Sequence, residues 1–163
     1  MNEIPESSPS AGPADTANVE MARRNQSLTI ASGAGLVAAL IGAVAWAVIT
    51  ITTEYQIGFM AIGLGLLVGF AVRLGKGVDK VFGVIGGVLA LFGCLLGNFL
   101  TIVGFVAKEQ QLSLPAAFAA IDYANLVPLM TATFQAMDLL FYGLAVYEGY
   151  RFSIHQVATP ATA

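Results

Sequence analysis

The sequence contains few of the residues on which many protein classes depend. Its 163 residues include seven Lys or Arg and ten Asp or Glu, and Cys94, Trp46 and His155 are each the only residue of their type. A lone cysteine cannot form a disulfide within the chain, which excludes a disulfide scaffold. One His and one Cys do not complete a metal site of ordinary ligand number. A net charge of −3 argues against nucleic-acid binding.

Sequence motifs of common enzymes are also missing. The chain has no GxSxG, Walker A, HExxH or CxxC pattern, and the GxG at residues 75–77 follows no strand. We therefore expect a protein that is not an enzyme and that binds no metal or cofactor. A soluble domain carries about 25% charged residues, whereas this chain has 10% charged and 57% apolar residues. This composition predicts an all-α integral membrane protein.

Four runs with few or no charges are long enough to be membrane spans, so we predict a four-helix bundle within a membrane domain at residues 23–151. The predicted spans cover about 28–51, 56–73, 81–106 and 128–150. Residues 1–22 contain four acids and no Lys or Arg, which predicts a disordered acidic tail. Residues 152–163 form a short C-terminal tail.

Residues 114–125, between the third and fourth runs, predict a short amphipathic helix at the membrane surface. Ser113 and Pro115 are typical of a helix start, and Leu114, Phe118 and Ile121 recur at helical spacing. A packed loop is the alternative. Trp46 lies near the outer end of the first span, where aromatic residues often mark the interface.

The basic residues predict the orientation, because they favour the cytoplasmic ends of spans. With four spans and the N-terminus inside, six of the seven lie on the inner side and only Lys108 on the outer side. Both termini would then be cytoplasmic, in a multi-pass protein of a bacterial inner membrane. Arg73, Lys76 and Lys80 lie together in an inner loop. This loop either serves only as a topology signal or also holds anionic lipid head groups.

Small residues recur on the predicted spans at helix-packing intervals. Those expected to contact neighbouring helices are Gly65, Gly69, Gly86, Gly93, Gly97 and Gly104. Three readings stay open: packing within the chain, self-association, and the lining of a substrate path.

Asp138 and Asn98 are a candidate intramembrane polar pair. If the fourth span begins at Pro128, Asp138 lies about 15 Å below its outer end, and Asn98 lies about 12 Å below the outer end of the third span. We then expect both side chains to face the bundle interior, together with Gln135 and Thr101. If the span begins nearer Thr133, Asp138 lies only one turn from the interface. A purely structural hydrogen bond is a further alternative.

The segment from Trp46 to Asn98 resembles a group of small, uncharacterised four-span proteins of the bacterial inner membrane. The resemblance is carried by Trp46, then YQIG at 55–58, a series of glycines from Gly63, AVR at 71–73, GKG at 75–77 and FGVIGG at 82–87. It implies the four-span fold but no activity. Some members of the group carry a soluble domain before the first span, where this chain has only its acidic tail.

These observations favour a scaffold or accessory subunit that packs in the bilayer against a larger membrane complex or against copies of itself. The alternative is a small homo-oligomeric transporter or channel that uses Asp138 and Asn98. A membrane enzyme acting on lipid or quinone is a third hypothesis, but the acids on the outer side have no defined geometry.

Overall fold

The structure is a computed structural model that describes residues 13–55, 58–133 and 136–155. Within these ranges the chain forms helices and no strands. The α-helices are α1 (Pro13–Arg24), α2 (Leu28–Thr53), α3 (Phe59–Arg73), α4 (Lys80–Glu109), α5 (Leu114–Ala120), α6 (Leu126–Thr133) and α7 (Ala136–Ser153), and a 3-10 turn covers Tyr123–Asn125. The predicted all-helical class is confirmed for the described residues.

Two of these helices, α2 and α4, are long and apolar enough to span a membrane. They contain 26 and 30 residues, which corresponds to about 39 and 45 Å at the usual rise per residue. The 15 residues of α3 reach only about 22 Å. The 18 residues of α7 include three charged side chains, Asp138, Glu148 and Arg151. Of the four predicted spans, only the first and third therefore correspond to described helices that are long and apolar enough to cross a membrane, whereas 56–73 is too short and 128–150 too polar.

The helix boundaries follow local chemistry. The Ser27 side chain accepts a hydrogen bond from the Ile30 backbone N–H at the start of α2. Glu54, just after α2, adopts a left-handed backbone conformation with φ of 59° and donates its N–H to the Thr50 carbonyl. Pro115 lies in the first turn of α5, where the missing N–H costs no hydrogen bond.

Helices α2 and α4 run parallel to each other. Gly35 packs against Leu89, Gly97 against Trp46, and Gly104 against Ile51, so residue numbers rise together along both helices.

Helices α3 and α7 form a second parallel pair. Gly65 packs against Ala145 and Gly69 against Phe152. Helix α7 runs antiparallel to α4, because Gly83 contacts Tyr150 whereas Gly87 contacts Val146.

The interior of the helix packing contains mainly small residues. The buried residues of α2 are Ala31, Gly35, Ala38, Ala39, Ala43, Trp46, Ala47 and Thr50. Its exposed residues include Leu36, Val37, Leu40, Ile41, Val44 and Val48. Apart from Trp46, the large apolar side chains of this helix thus mostly point away from the rest of the protein.

The N-terminal segment is more ordered than predicted. Residues 1–12 lie outside the described residues, but residues 13–24 form α1, so the predicted disorder through residue 22 extends too far. Pro13 is the first residue of this helix, a position that proline tolerates, and Glu20, Met21 and Ala22 favour helix. The acidic composition therefore predicted disorder in a segment that is helical from Pro13 onward.

The predicted surface helix at 114–125 is shorter than expected and packs against the side of α4. Helix α5 ends at Ala120, and the Phe118 ring lies 6.0 Å from that of Phe99 on α4. Ala117 is buried, whereas Leu114 is 60% exposed. The face of α5 that includes Ala117 and Phe118 therefore covers the last turns of α4.

The predicted fourth span corresponds to two helices, α6 and α7, separated by residues 134–135, which lie outside the described residues. The described chain continues as helix to Ser153, two residues into the predicted C-terminal tail, and residues 156–163 lie outside the described part.

Candidate functional site

The predicted polar pair is buried at the start of α7. Asp138 on α7 is 7% exposed, and Asn98 on α4 is 5% exposed. Because α7 begins at Ala136, Asp138 lies in its first turn. Residues 134–135 lie outside the described part, so both predicted starts of the final span, at Pro128 and nearer Thr133, stay predictions.

The start of α7 lies well below the end of α4. Asn98 precedes Glu109, the last residue of α4, by eleven positions, which is about 16 Å along the helix axis. Tyr142 on α7 lines the same cleft as Asn98. Asp138, one turn before Tyr142, is therefore within about a helical turn of the depth of Asn98.

Tyr142 joins the two predicted residues into one cluster. Its hydroxyl faces the Asn98 side chain and lies within electrostatic range of the Asp138 carboxylate. Sequence reasoning missed this tyrosine. Its position four residues after Asp138 places both on one helix face, which could have indicated it.

Trp46 on α2 also faces this region. The Trp46 and Tyr142 rings meet edge to face with their centroids 6.4 Å apart. Trp46 is 2% exposed, so it does not lie in an outer aromatic belt as predicted. Among the described residues, Trp46 Nε1 and the Thr50 hydroxyl oxygen have no hydrogen-bond partner. A buried polar group without a partner costs about 1–3 kcal/mol.

Thr101 and Gln135 were predicted to lie beside Asp138 and Asn98 in the bundle interior. Thr101 is buried, but its hydroxyl donates to the Gly97 carbonyl at 2.8 Å within α4. Gln135 lies outside the described residues.

A cleft of about 190 Å³ reaches this cluster from the side of the helices. Its lining consists of Leu95, Asn98, Val127, Met130, Thr131 and Tyr142. The cleft is mostly apolar and carries the polar groups of Asn98 and Tyr142. It can accommodate a small molecule or chain segment that is largely apolar and has one polar group.

The six predicted packing glycines lie at contacts within the chain. Gly65 and Gly69 contact α7, Gly86 contacts Gly149 and Ser153 of α7, Gly93 contacts Leu64 of α3, and Gly97 and Gly104 contact Trp46 and Ile51 of α2. Their small faces are therefore occupied by neighbouring helices of the same chain.

The predicted basic loop lies at the other end of the helices. The Arg73 Nε donates to His155 Nδ1 at 3.4 Å, and Lys76 and Lys80 are exposed. At the opposite end, Lys108 forms an ion pair with Glu54, and this lowers the pKa of the Glu54 carboxyl. The pKa of Asp122 is lowered by its hydrogen bond with the Asn125 side chain and then by that with the Ala124 backbone.

The described ranges contain no group of three His, Cys, Asp or Glu side chains that could hold a metal ion. No family model matches the chain, and neither a curated protein nor a solved structure matches it. The resemblance to small four-span bacterial proteins therefore stays a prediction.

Proposed function

We propose that this chain is a non-enzymatic, four-span protein of a bacterial inner membrane and that it serves as a scaffold or accessory subunit. The observation that carries the proposal is the distribution of side chains on α2, with alanine and glycine inside and leucine, isoleucine and valine outside. Water would drive the large apolar side chains inward. Lipid tails remove that driving force and favour small residues between helices.

The helix directions support four spans, although only α2 and α4 are both long and apolar enough to cross a membrane. Two parallel spanning helices need a connection that returns across the bilayer. Helix α3 supplies this return, because it lies between them in the chain and packs against both. Helix α7 runs parallel to α3 and is packed against α3 and α4. Local thinning of the bilayer can accommodate the shorter helices at a modest cost.

The positions of the basic residues support cytoplasmic termini. Arg23 pairs with Asp79 at 3.2 Å, and this joins the end of α1 to the loop that carries Lys76. Lys108 lies at the opposite end of α4. The end near Arg23 therefore carries most of the positive charge, which is typical of the cytoplasmic side.

The accessory role is supported by the outer face of α2, which no other described helix of the chain covers. The packing glycines are used within the chain, whereas α2 presents a continuous outer face that includes Leu40, Ile41, Val44 and Val48. A larger membrane protein or a second copy of this chain can pack against that face as well as lipid can.

The orientation is tested by cysteine labelling in intact cells. Lys76→Cys and Gln110→Cys are introduced separately into a Cys94→Ala background, since both positions are exposed at opposite ends. A membrane-impermeant maleimide should label Gln110→Cys only, and Lys76→Cys should react only after the cells are opened. Labelling of Lys76→Cys in intact cells would contradict the orientation, and recovery of the chain in the aqueous fraction would contradict membrane insertion.

The role is tested by mild extraction through a C-terminal tag, with mass and composition measured. A larger protein recovered in fixed ratio supports the accessory role. An oligomer of this chain alone favours the second candidate, a small transporter or channel.

The second candidate is favoured by the buried cluster of Asp138, Asn98 and Tyr142, since a buried intramembrane carboxylate is costly and is often functional. For that candidate, Asp138→Asn should abolish ion or solute flux in vesicles while the protein still folds. Unchanged flux would exclude a role for the carboxylate charge.

A further inference from the structure

A cleft of about 530 Å³ lies where α3 ends and the loop to α4 begins. Its lining combines the apolar Phe70 and Leu74 with the polar or cationic Arg73, Lys76 and His155. An apolar wall beside fixed cationic groups is the arrangement that an amphipathic anion requires.

The cleft has two positive charges that are not neutralised nearby. Among the described residues, neither Arg73 nor Lys76 forms an ion pair. The acid of this loop, Asp79, is engaged elsewhere, because it pairs with Arg23 and accepts a hydrogen bond from Gln26 Nε2 at 2.7 Å. The acid is thereby held toward the start of α2.

The backbone on both sides of Lys76 is anchored. The Gly75 carbonyl accepts from the Ser27 N–H at 2.8 Å, and the Gly77 carbonyl accepts from the His155 N–H at 2.7 Å. Lys76 itself has a φ of 53°, a left-handed conformation that glycine or asparagine adopts more readily than lysine. Glu54 and Gln111 adopt the same conformation after α2 and α4, so at Lys76 it marks the end of α3 and fixes the position of the lysine at the cleft.

The apolar wall continues along α3. Leu67, Phe70 and Leu74 are 44%, 52% and 67% exposed, and their spacing of three and four residues places them on one helix face. The Phe70 ring also lies 5.1 Å from that of Phe152. A hydrocarbon chain that follows this face leads directly to the charges of Arg73 and Lys76.

We propose that this cleft binds an anionic phospholipid of the inner leaflet, with the head-group phosphate between Arg73 and Lys76 and an acyl chain along Phe70 and Leu74. The apolar wall favours a lipid over free phosphate. The inference rests on the proposed membrane insertion.

The test is native mass spectrometry of the full chain in detergent, with phosphatidylglycerol and phosphatidylcholine of matched acyl chains. Wild-type protein should retain phosphatidylglycerol preferentially. Arg73→Gln and Lys76→Asn should each weaken that binding about fivefold, the usual effect of one basic residue near an anionic lipid. Lys80→Gln is the matched control, because it removes the same charge from an exposed residue that does not line the cleft.

Asparagine is chosen at position 76 so that the variant keeps the wild-type fold. Asparagine accepts the left-handed conformation, so Lys76→Asn should melt at the wild-type temperature or above it. Weaker binding by this variant would therefore not reflect unfolding.

Three outcomes would overturn the lipid site. They are equal retention of both lipids by wild-type protein, an equal loss in Lys80→Gln, and displacement of phosphatidylglycerol by excess inorganic phosphate. If the protein needs detergent but shows no lipid preference, only the lipid site is contradicted and the proposed membrane insertion is not. A chain soluble without detergent contradicts the proposed membrane insertion as well.

Discussion

Gly65 and Gly63, two glycines on α3, provide a matched test of the helix packing. A Cβ built on Gly65 would lie 2.4 Å from the Ala145 carbonyl oxygen and 2.8 Å from the Ala145 Cα. These are backbone atoms of α7, so no side-chain rotation can relieve the contact. A Cβ on Gly63 meets nothing within 4 Å. Both substitutions add the same methyl group to the same helix.

The two substitutions should change stability in opposite directions. Reaching an ordinary contact distance of 3.4 Å requires α3 and α7 to move apart by about 1 Å at Gly65. Overpacking of this kind costs about 1–3 kcal/mol. In Gly63→Ala, the higher helix propensity of alanine contributes about 0.5–1 kcal/mol of stabilisation. Because the propensity gain applies at both positions, the two variants should differ by the overpacking cost, about 1–3 kcal/mol.

The assay is equilibrium unfolding by SDS in mixed micelles, followed by fluorescence. Trp46 is the only tryptophan and is 2% exposed, so its emission reports on the core. Gly65→Ala should unfold at a lower SDS fraction than wild-type protein, and Gly63→Ala at the same or a higher fraction. If Gly65→Ala proved as stable as Gly63→Ala, the close approach of α3 to α7 would be refuted.

Two further predictions concern the ion pair and the buried thiol. Lys108 lowers the pKa of Glu54, so their interaction is present at neutral pH and is lost as pH falls through the depressed pKa. Melting temperatures measured from neutral pH to about pH 3 should therefore fall more steeply in wild-type protein than in Lys108→Gln, and parallel curves would contradict the pairing. Cys94 is 0% exposed, so maleimide should modify it only after unfolding in SDS, and rapid labelling of the folded protein would place it outside the core.

Composition and the apolar runs predicted the long helices well. The expected first and third spans, at 28–51 and 81–106, correspond closely to Leu28–Thr53 and Lys80–Glu109. An uncharged run is a reliable guide here because α2 and α4 are each apolar over most of their length. The glycine spacing likewise identified residues that lie between helices.

The last span is harder to predict because Asp138 and Glu148 interrupt its apolar run. The structure describes it as α6 up to Thr133 and α7 from Ala136, and residues 134–135 lie outside the described part. Trp46 was misplaced for a different reason. Its distance along the helix could be read from the sequence, but whether it faces inward depends on Gly97 and Tyr142, which are far away in the chain.

Asp138 is a carboxylate buried within the helix packing. It is 7% exposed on α7, and Tyr142 lies one turn further along the same helix. A buried carboxylate in a membrane span is costly and is often functional. A structural role and a transport role of this residue therefore need separate tests.

Two substitutions separate a structural role of Asp138 from a transport role. Asparagine keeps the size and hydrogen-bonding capacity of the side chain and loses only the charge, whereas leucine loses both. A structural role therefore predicts that Asp138→Leu destabilises the protein more than Asp138→Asn does, with no other effect of either change. A transport role predicts that both variants lose flux to the same extent, because flux would depend on the charge that both of them lack.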